Sequence, residues 1–237
     1  MFTTIASEDH RLHFPDGELA GGVFVRPYEC PERWSYIHDR LIAEGHTTFK
    51  PAQALSGELL ERVHTPDYLT FLQNAWTLWQ AEGFEGQALP TVFPARRMQQ
   101  REPEFIDGKL GYYAMAIETA ITQGTWQAAL SSANCAVTAQ AEVSAGNKHV
   151  FALCRPPGHH SASDLYGGYC FLNNAALAAE GFLKNGAQRV VILDVDFHHG
   201  NGTQDIFYQR DDVMFISLHG DPVHAFPHFL GLSLIHI

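Results

Sequence analysis

Two runs, Val190-Val191-Ile192-Leu193 and Val213-Met214-Phe215-Ile216, are apolar at every position and stop at polar residues. A strand with one wet face alternates apolar and polar side chains. An unbroken apolar run instead suits a strand buried on both faces, the condition of a parallel sheet. Helical spacing fills the chain around these runs. Pro31 opens a helix through Arg33, Trp34, Ile37 and Leu41, and Leu69, Leu72, Ala75, Trp76 and Trp79 predict another over 66–81. Leu110, Tyr113, Ala114, Ile117 and Ile121 share one helical face. Trp126, Ala129, Leu130, Ala133, Val137 and Ala141 share a second, ending near Gly146. Val150 to Cys154 reads as a short strand, Asn173 to Lys184 as a helix closed by Gly186, and Asp205 to Arg210 as a short helix. Strands alternating with helices imply an α/β fold with a mostly parallel sheet. Ligands of such sheets sit outside the carboxyl ends of the strands. Polar clusters fall there: 155–160, 194–199 and 217–219.

Those clusters carry chemistry. In Asp194-Val195-Asp196-Phe197-His198-His199-Gly200-Asn201-Gly202, alternate side chains of an extended segment share a face, so Asp194, Asp196 and His198 project together if the strand geometry persists. A carboxylate and an imidazole two residues apart reach one divalent ion. Zinc takes both donors and, at catalytic sites, keeps a position open for water. The plainer alternative is an Asp capping the next helix with a structural His. Arg155-Pro156-Pro157-Gly158-His159-His160 sets two imidazoles past a strand, suited to taking a proton from water and giving one to a leaving group. Pro156 and Pro157 stiffen that loop, and Gly158 permits close backbone approach. In Tyr166-Gly167-Gly168-Tyr169-Cys170, Tyr169 either lines a narrow pocket or belongs to the ordinary core.

Charge narrows the partners. Fifteen Lys and Arg against 26 Asp and Glu give a formal net charge of -11, which argues against nucleic acid and favours a cationic ligand. The four Cys form no CxxC pair, so reduced thiols are expected rather than a zinc ribbon or a disulfide scaffold. The start of the chain lacks the pattern of a signal peptide, and no apolar stretch is long enough for a membrane span. A cytoplasmic protein is expected. Residues 83–109, with Gly83, Gly86, Pro90, Pro94, Pro103 and the charged run Arg96, Arg97, Arg101, Glu102, are too long for an ordinary connection. They read as a solvated loop or as a functional or interface segment.

RPPGHH, GGYCFLNNAA and LDVDFHHGNGTQDIFY, in this order and at these spacings, resemble the histone deacetylase superfamily, in particular its bacterial acetylpolyamine amidohydrolase branch. SEDH near the start, the long loop before GYY, GTWQAALSSA, and SLHGDP followed by AFPHFLG resemble that branch too. The resemblance implies a three-layer arginase/deacetylase-like α/β fold with a central, mostly parallel sheet. Residues 1–231 would form the first two-thirds of a single domain, with 83–109 a dimer or entrance insertion and 232–237 a tail that does not match.

It also implies roles. Asp196 and His198 match two zinc ligands; ferrous iron is the alternative metal. His159 and His160 match the tandem catalytic pair, with His160 the general base and acid, Asp194 the carboxylate orienting His159, and Asn201 the partner of His160. Tyr169 and Phe226, with Gly168, match the substrate tunnel. A structural potassium site would use Asp194, Ser217 and Leu218 along with carbonyls of Asp196 and His198. Glu18, Asp107 and Glu118 are candidates to hold a distal ammonium. The expected reaction is hydrolysis of the acetamide of an acetylated polyamine or related small cationic amine, giving acetate and free amine. A homodimer is the expected assembly. The family also uses a third zinc ligand, an Asp after a later strand, and an oxyanion-stabilising Tyr; neither segment is found in these 237 residues, so the last part of the fold is expected to be missing. The alternatives are an acetyl-lysine protein deacetylase and, from another class, an inactive pseudoenzyme.

Overall fold

The computed structural model describes residues 1–95 and 97–231. The chain opens with β1 (Thr3–Ala6), a 3-10 turn over Glu8–Leu12, and a hairpin of β2 (Glu18–Ala20) and β3 (Val23–Val25). Next come α1 (Pro31–Ala43), β4 (Thr48–Pro51), α2 (Gly57–Glu61) and α3 (Pro66–Ala81). Then follow α4 (Ile106–Tyr112), α5 (Thr125–Ser144), β5 (Val150–Ala152) and α6 (Asn174–Lys184). The last elements are β6 (Val190–Asp194), α7 (Asn201–Phe207) and β7 (Val213–Ser217).

The α/β class holds, and the main strands run parallel. β1 lies between β4 and β5, and β6 pairs with β7 in register from Val190↔Val213 to Asp194↔Ser217. α5 packs on β1 and β5, α6 packs on β6, and the two helices pack on each other. They approach closely because the facing residues are small: a Cβ on Gly181 would stand 2.4 Å from Gln140 Oε1. The main core gathers Tyr68, Phe71 and Leu72 of α3, Leu110 of α4, Ala129 and Ala133 of α5, and Ala176 and Leu177 of α6. Removing these apolar faces from water does most to hold the layers together.

Helix boundaries follow local chemistry. α3 begins with Pro66 in its first turn, where the missing N–H costs nothing. The Asn173 side chain accepts the Ala176 N–H at 3.0 Å to cap α6, and Gly186 beyond its end has φ +97°.

Three expectations need correction. The helical face drawn over 110–121 is helical only to Tyr112. Beyond it the backbone is committed elsewhere: Met115 N–H donates to Tyr166 O and Tyr166 N–H to Tyr113 O, both at 2.8 Å, while Ile121 and Ala88 exchange two bonds of 2.9 Å. Leu110, Tyr113, Ala114 and Ile121 are nevertheless buried. The short helix drawn over 205–210 starts four residues earlier and ends three earlier, at Asn201–Phe207, because backbone near its start receives its first-turn N–H groups: Thr203 N donates to His159 O and Gln204 N to Gly200 O, both at 3.1 Å. Finally, β6 and β7 are not buried on both faces: Val191, Leu193, Met214 and Ile216 are exposed on one side. The segment 83–109 is irregular up to Phe105 and then enters α4; Arg96 and the tail 232–237 lie outside the described residues.

Candidate active site

β5 and β6 end on the same side of the fold, and their following loops meet. Asp194, the last residue of β6, places Oδ2 2.8 Å from His159 Nδ1 and accepts the Asp196 N–H on Oδ1 at 3.1 Å. Burial alone would raise its carboxyl, but the hydrogen bond and charge of His159 bring it below the usual range. The contact needs Gly200: a Cβ there would stand 2.3 Å from Asp194 Oδ2 and 3.3 Å from His159 Nδ1.

His160 lies beside His159, with ring centroids 4.0 Å apart. Its Nδ1 meets Asn201 Oδ1 at 2.7 Å. The Asn201 amide nitrogen faces the Met115 sulfur at 3.4 Å, so the carbonyl oxygen is the atom turned to the ring. An oxygen acceptor fixes the proton on Nδ1 and leaves Nε2 for chemistry. His160 is 3% exposed, and burial first, then the neighbouring His159, push its pKa down to about 3 against the supporting bond from Asn201.

Asp196 and His198 follow on the same loop. Asp196 Oδ1 accepts the His198 N–H at 2.8 Å and lies 3.3 Å from His198 Nδ1 and 3.9 Å from His159 Nε2. The His198 ring sits 6.0 Å from that of His160. Their donors, one carboxylate oxygen and one imidazole nitrogen, are of the kind zinc takes. Among the described residues, no group of three or more His, Cys, Asp or Glu is arranged to hold a metal ion.

Aromatic and glycine residues border the pair. Phe226 stands edge-on to His160 at 4.8 Å and to His198 at 6.2 Å. Gly168 lies against the His160 ring, where a Cβ would meet Cδ2 at 2.3 Å. Its neighbour Tyr169 donates its hydroxyl to Glu18 Oε1 at 2.9 Å. Glu18 is buried, also accepts the Tyr28 N–H at 3.2 Å, and is raised above the carboxylate range, chiefly by burial. Glu118 accepts the Gly168 N–H at 2.9 Å. Asp107 lies in the first turn of α4 with the Thr91 hydroxyl 3.2 Å away, and among the described contacts nothing joins it to the His pair. At the ends of β6 and β7, Leu218 N–H donates to Asp194 O at 2.9 Å, and Ser217 Oγ lies 2.8 Å from His219 Nδ1.

The structure therefore brings His159, His160, Asp194, Asn201, Asp196, His198, Gly168, Tyr169 and Phe226 into one cluster, with Ser217 and Leu218 beside it. Sequence reasoning missed Met115 and Thr119, whose partners lie 86 and 50 residues away and leave no spacing signal. It also missed the reason for Arg155. That side chain is fully buried, pairs with Glu29 Oε1 at 3.0 Å and donates to His10 O, bracing the loop from behind. A separate cavity of about 410 Å³, bordered by Ser7, Trp34, His38 and Phe49, shares no residue with the cluster.

Residues 27–233 match the pattern of a histone deacetylase domain. The chain is 53% identical to acetylpolyamine amidohydrolase 2 of Pseudomonas aeruginosa over 97% of its own length and 67% of that protein's. It is 52% identical to the acetylpolyamine amidohydrolase of Mycoplana ramosa, with the same coverage. The crystal structure of acetylpolyamine aminohydrolase from Burkholderia pseudomallei superposes with a TM-score of 0.89 at 34% identity, covering 98% of this chain and 67% of that one.

Proposed function

The chain belongs to the histone deacetylase superfamily, and on that premise we propose that it hydrolyses the acetamide of acetylated polyamines or related small cationic amines, releasing acetate and free amine. The observation that carries the reading is the pair of differently held imidazoles, His159 on Asp194 and His160 on Asn201, beside Asp196 and His198. The net charge of -11 suits a cationic substrate.

Asp196 and His198 would hold zinc, or ferrous iron, with a further ligand from outside the described residues. When bound, the metal polarises the acetamide carbonyl and lowers the pKa of water. The protein's own residues handle the protons. His160 Nε2 takes one from water and returns one to the departing amine, while Asn201 holds the proton on Nδ1 throughout. His159, tied to the Asp194 carboxylate through Nδ1, stands beside it. Phe226 excludes water from one side of His160, and Tyr169 supplies a second apolar wall.

Three further parts belong to the same proposal. Asp194, Ser217 and Leu218 frame a structural potassium site where β6 and β7 end side by side. The exposed apolar residues Val92, Phe93 and Met98 in the segment 83–109 support a homodimer through that segment. A cytoplasmic location belongs to the same proposal; among the described residues no helix is long and apolar enough to cross a membrane.

The test is acetate release from N-acetylputrescine by the zinc-loaded protein, alongside an acetyl-lysine peptide. Turnover of the amine, lost on the order of 10²-fold or more in His160→Ala, is expected. Preference for the peptide, or turnover indifferent to His160→Ala, overturns the reading.

A further inference from the structure

The tip of the loop that touches His160 adopts a conformation its own sequence does not favour. Gly167 and Cys170 exchange both backbone hydrogen bonds at 3.0 Å, closing a two-residue turn. The central residues, Gly168 and Tyr169, have φ +55° and +65°, the signature of the tight I′ hairpin turn. Glycine adopts that region freely, but a tyrosine there is uncommon and persists only where the surroundings over-determine it.

The surroundings do so here. In this turn the N–H groups of Gly168 and Tyr169 point away from the hairpin. Each meets a side chain from one dipeptide 50 residues upstream: Gly168 N donates to Glu118 Oε1 at 2.9 Å and Tyr169 N to Thr119 Oγ1 at 2.8 Å. The Thr119 hydroxyl donates in turn to Glu118 Oε1 at 3.1 Å, so the two acceptors form one bonded unit. Thr119 is buried. The far end of Tyr169 is held separately, by Glu18. There is little slack on the other side, because even a Cβ on Gly168 would stand 2.3 Å from Cδ2 of the His160 ring.

We propose that Glu118 and Thr119 are positioning residues: together they hold the Gly168–Tyr169 turn, which sets the His160 ring and the Tyr169 wall, and Glu118 does this rather than holding a charged substrate tail. The catalytic consequence rests on the deacetylase reading above. The positioning itself does not. A carboxylate engaged by a backbone N–H and a hydroxyl acts through its acceptor oxygen, and a neutral carbonyl serves the same purpose. An ammonium-binding carboxylate acts through its charge, and an amide does not replace it.

The experiment compares Glu118→Ala, Glu118→Gln, Thr119→Val and Thr119→Ser with the unaltered protein. The first readout is amide hydrogen exchange at Gly168 and Tyr169 by NMR, with the His160 ring signals. Expected is exchange at least tenfold faster at these two amides in Glu118→Ala and Thr119→Val, with moved His160 signals. Glu118→Gln and Thr119→Ser are expected to retain protection, and amides of α3 and α5 to stay unchanged. Unchanged exchange in the Ala and Val variants, Gln behaving as Ala, or acceleration spread equally over α3 and α5 overturns the proposal. The second readout is kcat/KM on N-acetylputrescine and on N-acetylbutylamine, which lacks the ammonium. Positioning predicts that Glu118→Ala lowers both by the same factor. A loss confined to N-acetylputrescine and shared by Glu118→Gln overturns it. If the unaltered protein cleaves neither acetamide, the deacetylase reading fails while the exchange data still decide the positioning role.

Discussion

Gly200 and Gly202 are set by distance rather than by turn chemistry. Gly200→Ala would drive a methyl against Asp194 Oδ2 and His159 Nδ1, and Gly202→Ala would place one 2.3 Å from Ser161 O. Backbone and charged partners cannot step aside as a flexible side chain does. Each substitution is expected to cost about 1–3 kcal/mol, read as a lowered denaturation midpoint, and Gly200→Ala is expected to separate His159 from Asp194 in a crystal structure. A variant as stable as the parent with that contact intact would contradict the argument. At this scale the sequence was most readable where ligand types sit two residues apart on one strand exit, as Asp194, Asp196 and His198 do. It was silent where partners come from afar. Nothing near Gly168 announces that Glu118 answers its N–H.

Elements are joined by a few buried polar contacts that spacing does not reveal. Glu180 on α6 is 1% exposed and receives Arg62, just past α2, at 2.7 Å and Arg210, which precedes β7 and also holds Asp212 at 2.7 Å. Glu180→Ala is expected to cost about 2–3 kcal/mol, since both arginines are partly exposed and regain water when the carboxylate is lost. Equal urea midpoints for variant and parent would refute this. His64, between α2 and α3, accepts the Asn173 N–H on Nε2 at 3.0 Å, and burial pushes its pKa down to about 4. Its folded value lies below the unfolded one, so the unfolded chain binds the extra proton. Its contribution is therefore whole above about pH 6.5 and falls by up to about 3 kcal/mol as the pH drops toward 4. His13, pushed down to about 3 by burial, acts in the same direction. Denaturation series at pH 7 and pH 5 should show a smaller loss in His64→Gln than in the parent; an equal loss would exclude His64 as a source. Long periodic helices such as α3 were legible because packing and propensity agree. The 113–121 segment was not, because bonds to Tyr166 and Ala88 outcompete a continued helix whose apolar spacing was real.

Over the whole molecule, the parallel pairing was legible from two unbroken apolar runs, but their exposure was not. Val191 and Leu193 of β6 with Val195 just beyond it, and Met214 and Ile216 of β7 with Leu218 just beyond it, leave one face of the pair open to water. Contiguous apolar patches of this kind associate or bind amphiphiles. The 237-residue chain is expected to enhance the fluorescence of an apolar dye such as ANS. The double variant Val191→Lys, Met214→Lys is expected to reduce that signal by at least half, and an unchanged signal would place the dye elsewhere. The order β4-β1-β5 carries a different consequence, one of timing. A strand made among the first residues becomes the middle of its sheet, and its second neighbour is synthesised last of the three. At about 5–20 residues per second, the roughly 140 residues between Ala6 and Val150 leave the ribosome over on the order of 7–30 s. For that interval one edge of β1 stays unpaired on the nascent chain, a template on which another strand can pair before β5 arrives.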